Sequence, residues 1–220
     1  NNHLDFEIGG EKISTTDSNG AIDASQYNFY SFVYKEATTN NGAKMQILEN
    51  GKVLVDKELE KDLNFNTKAS IFIGGRYIYG NIHDIRLWKK AFTPAMATVA
   101  KDVTLTGREL DLLGYWKLDE GHGNIGLDKA RRKNAKVNFD WAIFPKGTAY
   151  KFENNEYLTF NKVGFVQPTE QENLTLSFWV KADNGNSGTI FSNGNGDDSE
   201  PIQNNGFRNK WAVNLKTDGL

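Results

Sequence analysis

The chain is predicted to fold as an antiparallel β-sandwich with one short helix. Three observations lead there. Apolar and aromatic residues alternate with period two in many segments of four to eight residues. Those segments are separated by clusters of Gly, Asn, Asp and Ser, which supply turns. Helix start signals coincide at one place in the 220 residues. Many short strands with a single helix belong to the all-β class.

The elements follow in order. Residues Phe29 to Tyr34 form a strand whose two faces, Phe29-Ser31-Val33 and Tyr30-Phe32-Tyr34, are both largely apolar, so both should be covered. Met45 to Val55 contains Asn50-Gly51 between two apolar runs. A type I′ hairpin needs positive φ at both central residues, and Asn and Gly tolerate it. Strands are expected at Ser70–Gly74 and Asn81–Trp88. Thr93-Pro94 starts a helix through about Ala100, with Thr as cap and Pro in the first turn. Leu113 to Gly121 (LGYWKLDEG) opens a further strand. Ala149–Phe152 and Tyr157–Phe160 alternate across a polar turn at Asn154-Asn155. Leu174–Val180, Thr189–Ser192 and Trp211–Leu215 complete the set, with a long polar loop from Asn193 to Asn209. Trp88, Trp116, Trp179 and Trp211 fall within strands and are expected in the core.

Composition narrows the class. Net charge is −2, with both signs mixed along the chain, which gives no basis for nucleic-acid or anionic-membrane binding. Arg131-Arg132-Lys133 is the densest basic run and lacks interleaved aromatics, so it reads as a solvated loop. Without cysteine there is no disulfide and no thiolate metal cluster, a composition that a bacterial surface protein tolerates. No apolar run approaches membrane-spanning length. The first residues lack a basic region followed by an apolar one, and read as mid-domain sequence.

Several strings are similar to the concanavalin A-like jelly roll, in its laminin-G-like, pentraxin-like branch. The family's opening Gly-Tyr-Trp-x-Leu-Asp-Glu-Gly resembles Gly114 to Gly121, followed by Asp128. Its small-x-x-Phe-x-Gly-x-x-Tyr-Val strand pair resembles Tyr150 to Leu158, and its Phe-Thr-x-Ser-Phe-Trp-Val-Lys strand resembles Leu174 to Lys181. Its second half resembles Ile47 to Val53, Ile73-Gly74-Gly75, and Gly80 to Thr93. The order is inverted: residues 1–110 resemble the C-terminal half of such a domain, and residues 111–220 the N-terminal half. Either the two close into one permuted sandwich, or they are halves of two tandem repeats. Closure within the chain is favoured, because a half sandwich would expose apolar faces and strand edges.

The resemblance implies a non-catalytic extracellular adhesion or carbohydrate-binding module of a larger repeat protein, at a bacterial surface. The alternatives are a structural spacer or assembly unit, self-associating through sheet edges, and an accessory domain of a secreted glycoside hydrolase. A glycan or a surface protein is the expected partner. Loop aromatics and polar neighbours suit sugar stacking, which makes Arg76, Tyr77, Tyr79, Phe207 and Arg208 candidate ligand residues, with Asp197 and Asp198 in the polar loop. The resemblance also places Asp84 and Asp128 where the family carries acidic residues, as candidate ligands of a structural Ca²⁺; the alternative for each is a solvated turn. Gly121-His122-Gly123-Asn124-Ile125-Gly126 matches a dinucleotide pattern, but a strand is expected after it rather than a helix, so glycines of a β-turn are the expectation. Glu58, Glu60 and Asp62 alternate but lack the acidic string of the superfamily's glucanases.

Overall fold

A computed structural model describes residues 2–18, 22–23, 25–63, 70–74, 79–131, 134–136, 141–144, 147–153, 156–160, 173–183, 187–194 and 211–217. The strands of the N-terminal half are β1 (Asn2–Ile8), β2 (Glu11–Ser14), β3 (Asn28–Lys35), β4 (Ala43–Glu49), β5 (Lys52–Leu59), β6 (Ser70–Gly74) and β7 (Gly80–Trp88). Helix α1 (Pro94–Ala100) follows. Then come β8 (Leu112–Trp116), β9 (Ile125–Gly126), β10 (Ala135–Lys136), β11 (Trp141–Phe144), β12 (Gly147–Phe152), β13 (Tyr157–Phe160), β14 (Leu174–Ala182), β15 (Gly188–Gly194) and β16 (Trp211–Thr217). The chain is an all-β antiparallel sandwich.

Local chemistry explains the two sharpest elements. At the β4–β5 turn Asn50 and Gly51 adopt φ of 52° and 90°, as the hairpin expectation requires. The turn also lies against α1: a Cβ on Gly51 would sit 2.0 Å from Thr98 Oγ1 and 2.8 Å from the Thr98 backbone, so only glycine fits. Helix α1 begins where expected. The Met96 amide donates to Thr93 Oγ1 at 3.2 Å, and Pro94 occupies the first turn.

The first sheet runs β2-β1-β16-β15-β6-β13-β10-β9; the second runs β11-β12-β7-β14-β3-β4-β5, with β8 beside β7. Strands from residues before 110 and after 111 are mixed in both sheets. β14 lies between β3 and β7, and β6 lies between β15 and β13. β1 and β16 pair from Asn2↔Thr217 to Ile8↔Trp211. Neither half therefore has a sheet of its own.

One pairing differs from expectation. Ala149–Phe152 and Tyr157–Phe160 were expected as neighbouring strands, yet β12 pairs with β7 and β11 while β13 pairs with β6 and β10. The connection between them crosses from one sheet to the other. Period-two alternation specifies a strand with one face inward and is the same for a hairpin and for an arch over the core. The Asn154-Asn155 turn lies outside the described residues. The neighbour of β12 is instead β11, which the sequence reading missed, as it missed β2.

The main core lies between the sheets and includes Leu4, Phe6, Ile8, Tyr30, Phe32, Tyr34, Ile82, Trp116, Phe178 and Val213. A second cluster lies on the outer face of the second sheet, where Val33, Leu48, Trp88, Leu112 and Tyr115 pack with Phe92 and Ala97. Both faces of β3 are covered, as its apolar pattern indicated. The sandwich sides are tied by polar contacts. Lys57 Nζ on edge strand β5 meets Glu11 Oε2 on edge strand β2 at 2.9 Å. On the other side Trp141 Nε1 donates to the Gly123 carbonyl at 3.3 Å. Lys52, Asp56, Lys57 and Glu58 charge the exposed edge of β5, which discourages edge-to-edge pairing.

Asp5 anchors the joint between the chain's first and last strands. Its side chain is 2% exposed, and its carboxylate forms ion pairs with Lys12 Nζ at 2.8 Å and Lys216 Nζ at 3.0 Å. Burial alone would raise its pKa, but the ammonium groups of Lys12 and Lys216 and the Ser14 hydroxyl hold it below the ordinary carboxylate value.

Two outcomes are expected. Polypeptides 1–110 and 111–220 produced separately will each lack a cooperative thermal transition, while the intact chain melts in one step; calorimetry of the three checks this. Asp5→Asn will lower stability at neutral pH by about 2 kcal/mol, the scale of charge-assisted hydrogen bonds. A depressed carboxylate pKa stabilises the fold above the unfolded-state value and ceases to do so as pH falls through the folded-state value. Urea titrations across that acidic range should therefore show the wild-type advantage over Asp5→Asn shrinking as pH drops.

Candidate functional site

The chemistry of the second sheet begins at β7. One edge of this strand serves two partners in succession: β12 pairs with Gly80 to Ile82, and β8 pairs with Ile85 to Trp88. The change of partner falls at Asp84, where φ is 57° and the Asp84 amide donates to the Lys117 carbonyl at 3.0 Å. On the opposite edge the register against β14 shifts at the same place, between Ser177↔Arg86 and Trp179↔His83. Asp84 is thus part of a β-bulge, and Asp tolerates the left-handed backbone better than a branched residue would.

The bulge turns the Asp84 carboxylate toward Arg86. Arg86 Nε donates to Asp84 Oδ1 at 2.7 Å, and Nη2 donates to Oδ2 at 2.6 Å. The guanidinium, 1% exposed, also donates to the carbonyls of Ala100 and Val103. These carbonyls belong to the end of α1 and the segment after it, groups that a helix leaves unsatisfied. The Phe29 and Tyr115 rings stand 5.4 and 5.8 Å from the guanidinium carbon. One side chain joins the bulge, the helix end and the outer apolar cluster.

Asp128 is equally occupied. Its Oδ1 accepts from the amides of Tyr115 at 3.0 Å and Ala130 at 2.9 Å, and its Oδ2 accepts from the Arg131 amide at 3.1 Å. It fastens the 128–131 turn to the edge of β8 opposite β7, across the Trp116↔Asp128 bridge. The backbones of Asp84 and Asp128 are therefore about two strand spacings, or roughly 10 Å, apart. A calcium ion requires six to eight oxygen ligands. Here both carboxylates face N–H donors and one faces a guanidinium, so this pair does not fit a shared ion. Among the described residues no group of three His, Asp or Glu is arranged to hold a metal.

Of the candidate ligand residues, Tyr79 is described and half-buried; Arg76, Tyr77, Asp197, Asp198, Phe207 and Arg208 lie outside the described residues. The Tyr79 carbonyl accepts from the Asp183 amide at 3.0 Å. Tyr79, Gly80, Asn81, Phe152, Val180 and Ile190 line a small apolar void of about 10 Å³, the size of one water molecule. The strand ends bracketing 195–210 lie at the other end of the first sheet, since Asn193 pairs with Trp211 and Gly194 with Ser70, whereas Gly74 pairs with Tyr157.

Residues not anticipated as a group meet near Tyr79. On β14 the side chains of Leu176, Phe178 and Val180 enter the core, so Trp179 and Lys181 take the outer face, both half-buried. Trp179 was expected in the core with Trp88 and Trp116; those two are buried, while Trp179 borders the covered area, its ring 5.5 Å from Phe29. Asn81 stands opposite Lys181, and His83 opposite Trp179. The Tyr27 phenol lies beside the Asn81 side chain, and burial raises its pKa. His83 is buried, and burial lowers its pKa despite the carboxylate of Asp84. The arrangement offers an indole face, a phenol, an amide and an ammonium group on one sheet surface.

The remaining motifs have structural explanations. Gly121 and Gly123 adopt φ of 70° and 80°, and the two-residue strand β9 follows instead of a helix, as the turn reading required. Asp62 accepts from the Tyr34 hydroxyl at 3.2 Å and the Ala37 amide at 2.7 Å, while Glu58 and Glu60 are exposed. No family model matches the chain, and no curated protein or solved structure matches it.

Replacing Arg86 with Met will destabilise the fold by about 3–5 kcal/mol, because it strands a buried carboxylate and frees the helix-end carbonyls. Arg86→Met combined with Asp84→Asn will recover part of that loss by removing the orphan charge. Denaturant midpoints of the wild type, both single variants and the pair measure the coupling.

Proposed function

We propose that the chain is a non-catalytic carbohydrate-binding module of an extracellular adhesion protein, built as a laminin-G-like, concanavalin A-like jelly roll. The observation that carries this reading is the grouping of the half-buried aromatics Tyr27, Tyr79 and Trp179 around Asn81 at one end of the second sheet. Aromatic faces stack on sugar C–H groups, and neighbouring amides and hydroxyls bind sugar hydroxyls. The disposition of buried acids supports binding rather than hydrolysis. Glycoside hydrolysis needs two carboxyl groups flanking a cleft, whereas Asp5, Asp84 and Asp128 are each held by cations or amides.

A second reading, a structural assembly unit binding other protein chains, is favoured by the exposed apolar side chains Met96, Val99, Val103 and Leu110 in and after α1, with Leu110 86% exposed.

A glycan array separates the two. The wild type is expected to bind a subset of glycans, and Trp179→Ala or Tyr79→Ala to weaken that binding about three- to tenfold, the scale of one aromatic contact. Both variants should retain the wild-type melting curve to within a few degrees. Absence of any glycan signal at millimolar ligand, together with concentration-dependent self-association in sedimentation, would replace the first reading with the second.

A further inference from the structure

We infer that the open end of the second sheet's outer face binds acidic sugars, uronate or sialate residues within a glycan, with Trp179 stacking on the ring and Lys181 holding its carboxylate. This rests on the carbohydrate-binding reading and deepens it by naming the ligand class.

Spacing supports the pairing. Trp179 and Lys181 are two residues apart on one strand, so they project from the same face about 7 Å apart. A pyranose ring lying on the indole brings an exocyclic carboxylate within reach of that ammonium. On the neighbouring strands Asn81 stands beside Lys181, and the buried Phe29 and His83 support Trp179 from either side.

Charge bookkeeping singles out Lys181. Nearby Lys151 is paired with Glu153, and Lys117 meets Asp119 at 2.6 Å. No carboxylate among the described residues pairs with Lys181, although it is half-buried on a covered strand. His83 is buried and kept neutral near pH 7, so it adds no second cation to this row. A single ammonium beside one aromatic face matches a monosaccharide acid. It does not match a nucleic acid, which needs a basic track.

The surface has one natural contrast within the same protein. On the outer face of the first sheet, polar groups satisfy one another: Thr189 Oγ1 donates to Asn214 Oδ1 at 2.8 Å, and Asp5 takes both Lys12 and Lys216. That face has no comparable unmatched cation beside an indole among the described residues.

The test uses the intact chain on immobilised oligogalacturonate and sialyllactose, each beside its carboxyl-reduced form, with oligoglutamate as a non-sugar acid. Binding to the acidic glycans is expected to exceed binding to the reduced forms by about tenfold, the scale of a charge-assisted hydrogen bond. Lys181→Gln should remove that difference with the melting curve unchanged, and Lys181→Arg should retain most of it. Equal binding to acidic and reduced glycans overturns the acidic-sugar assignment and leaves the carbohydrate reading standing. Oligoglutamate binding equal to that of the acidic glycans also overturns it, because the surface would then recognise charge alone. Binding to no glycan overturns both.

Discussion

The bidentate pair between Arg86 and Asp84 is the contact on which the second sheet depends. β7 must satisfy three strands: β14 along one edge, and β12 and β8 in turn along the other. A regular strand cannot hand its edge from one partner to another without a break in pleat. The bulge at Asp84 supplies the break, at the cost of a left-handed backbone on a non-glycine residue. Arg86 holds that conformation from two residues away. It uses its remaining donors on the carbonyls after α1, so the helix is tied to the same point. A buried guanidinium is tolerable here because its fork geometry meets the carboxylate, two carbonyls and two aromatic faces together. A lysine could not make the same set of contacts.

Interleaving gives the architecture its cooperativity. β1, β3, β6 and β7 of the first half each pair with a strand of the second half. The apolar layers of β1 and β7 are completed by residues of β16, β13, β15 and β14. The two ends of the chain meet in the β1–β16 ladder, with Asp5 as its buried polar fastening. The outer cluster under α1 adds a third apolar layer over half of the second sheet. The remaining half of that face is therefore the part of the sheet where an aromatic side chain can reach both protein and ligand.

Much of this was legible in the residues. Period-two alternation located β3, β4, β7, β12 to β16 and the hairpin at Asn50-Gly51, and Thr93-Pro94 located the helix. What alternation does not carry is partner identity, which is why the β12–β13 arch read as a hairpin. β11 was missed because Trp141 to Phe144 is a short, wholly apolar run with no polar partner positions to display a period. β2 was missed because Glu11-Lys12 mask its apolar residue, Ile13. The site was legible in part. In Leu174 to Lys181 the set Leu174, Leu176, Phe178, Val180 alternates with Thr175, Ser177, Trp179, Lys181, so Trp179 shares a face with polar residues. Reading that face as solvent-side would have separated Trp179 from the buried tryptophans. The proximity of Tyr27, just before β3, and Asn81 on β7 depends on tertiary pairing and leaves no trace in local sequence.

The acidic residues show why pattern and role diverge. Asp84 and Asp128 stand in strings that resemble acidic positions of a known fold, and an ion was a reasonable expectation from them. Each carboxylate is instead consumed in holding backbone: Asp128 by gathering three amides of a turn and a strand, Asp84 by clamping the arginine that stabilises its own bulge. In a cysteine-free β protein such contacts do the work that disulfides perform elsewhere, locking irregular segments onto regular ones. Their consequence for function is electrostatic. Asp5, Asp84 and Asp128 are each matched locally, and Lys117 and Lys151 are matched at the surface. The charge that a ligand meets beside Trp179 is then set by Lys181 and its immediate neighbours, which is the condition under which one residue can decide between an acidic sugar and its neutral counterpart.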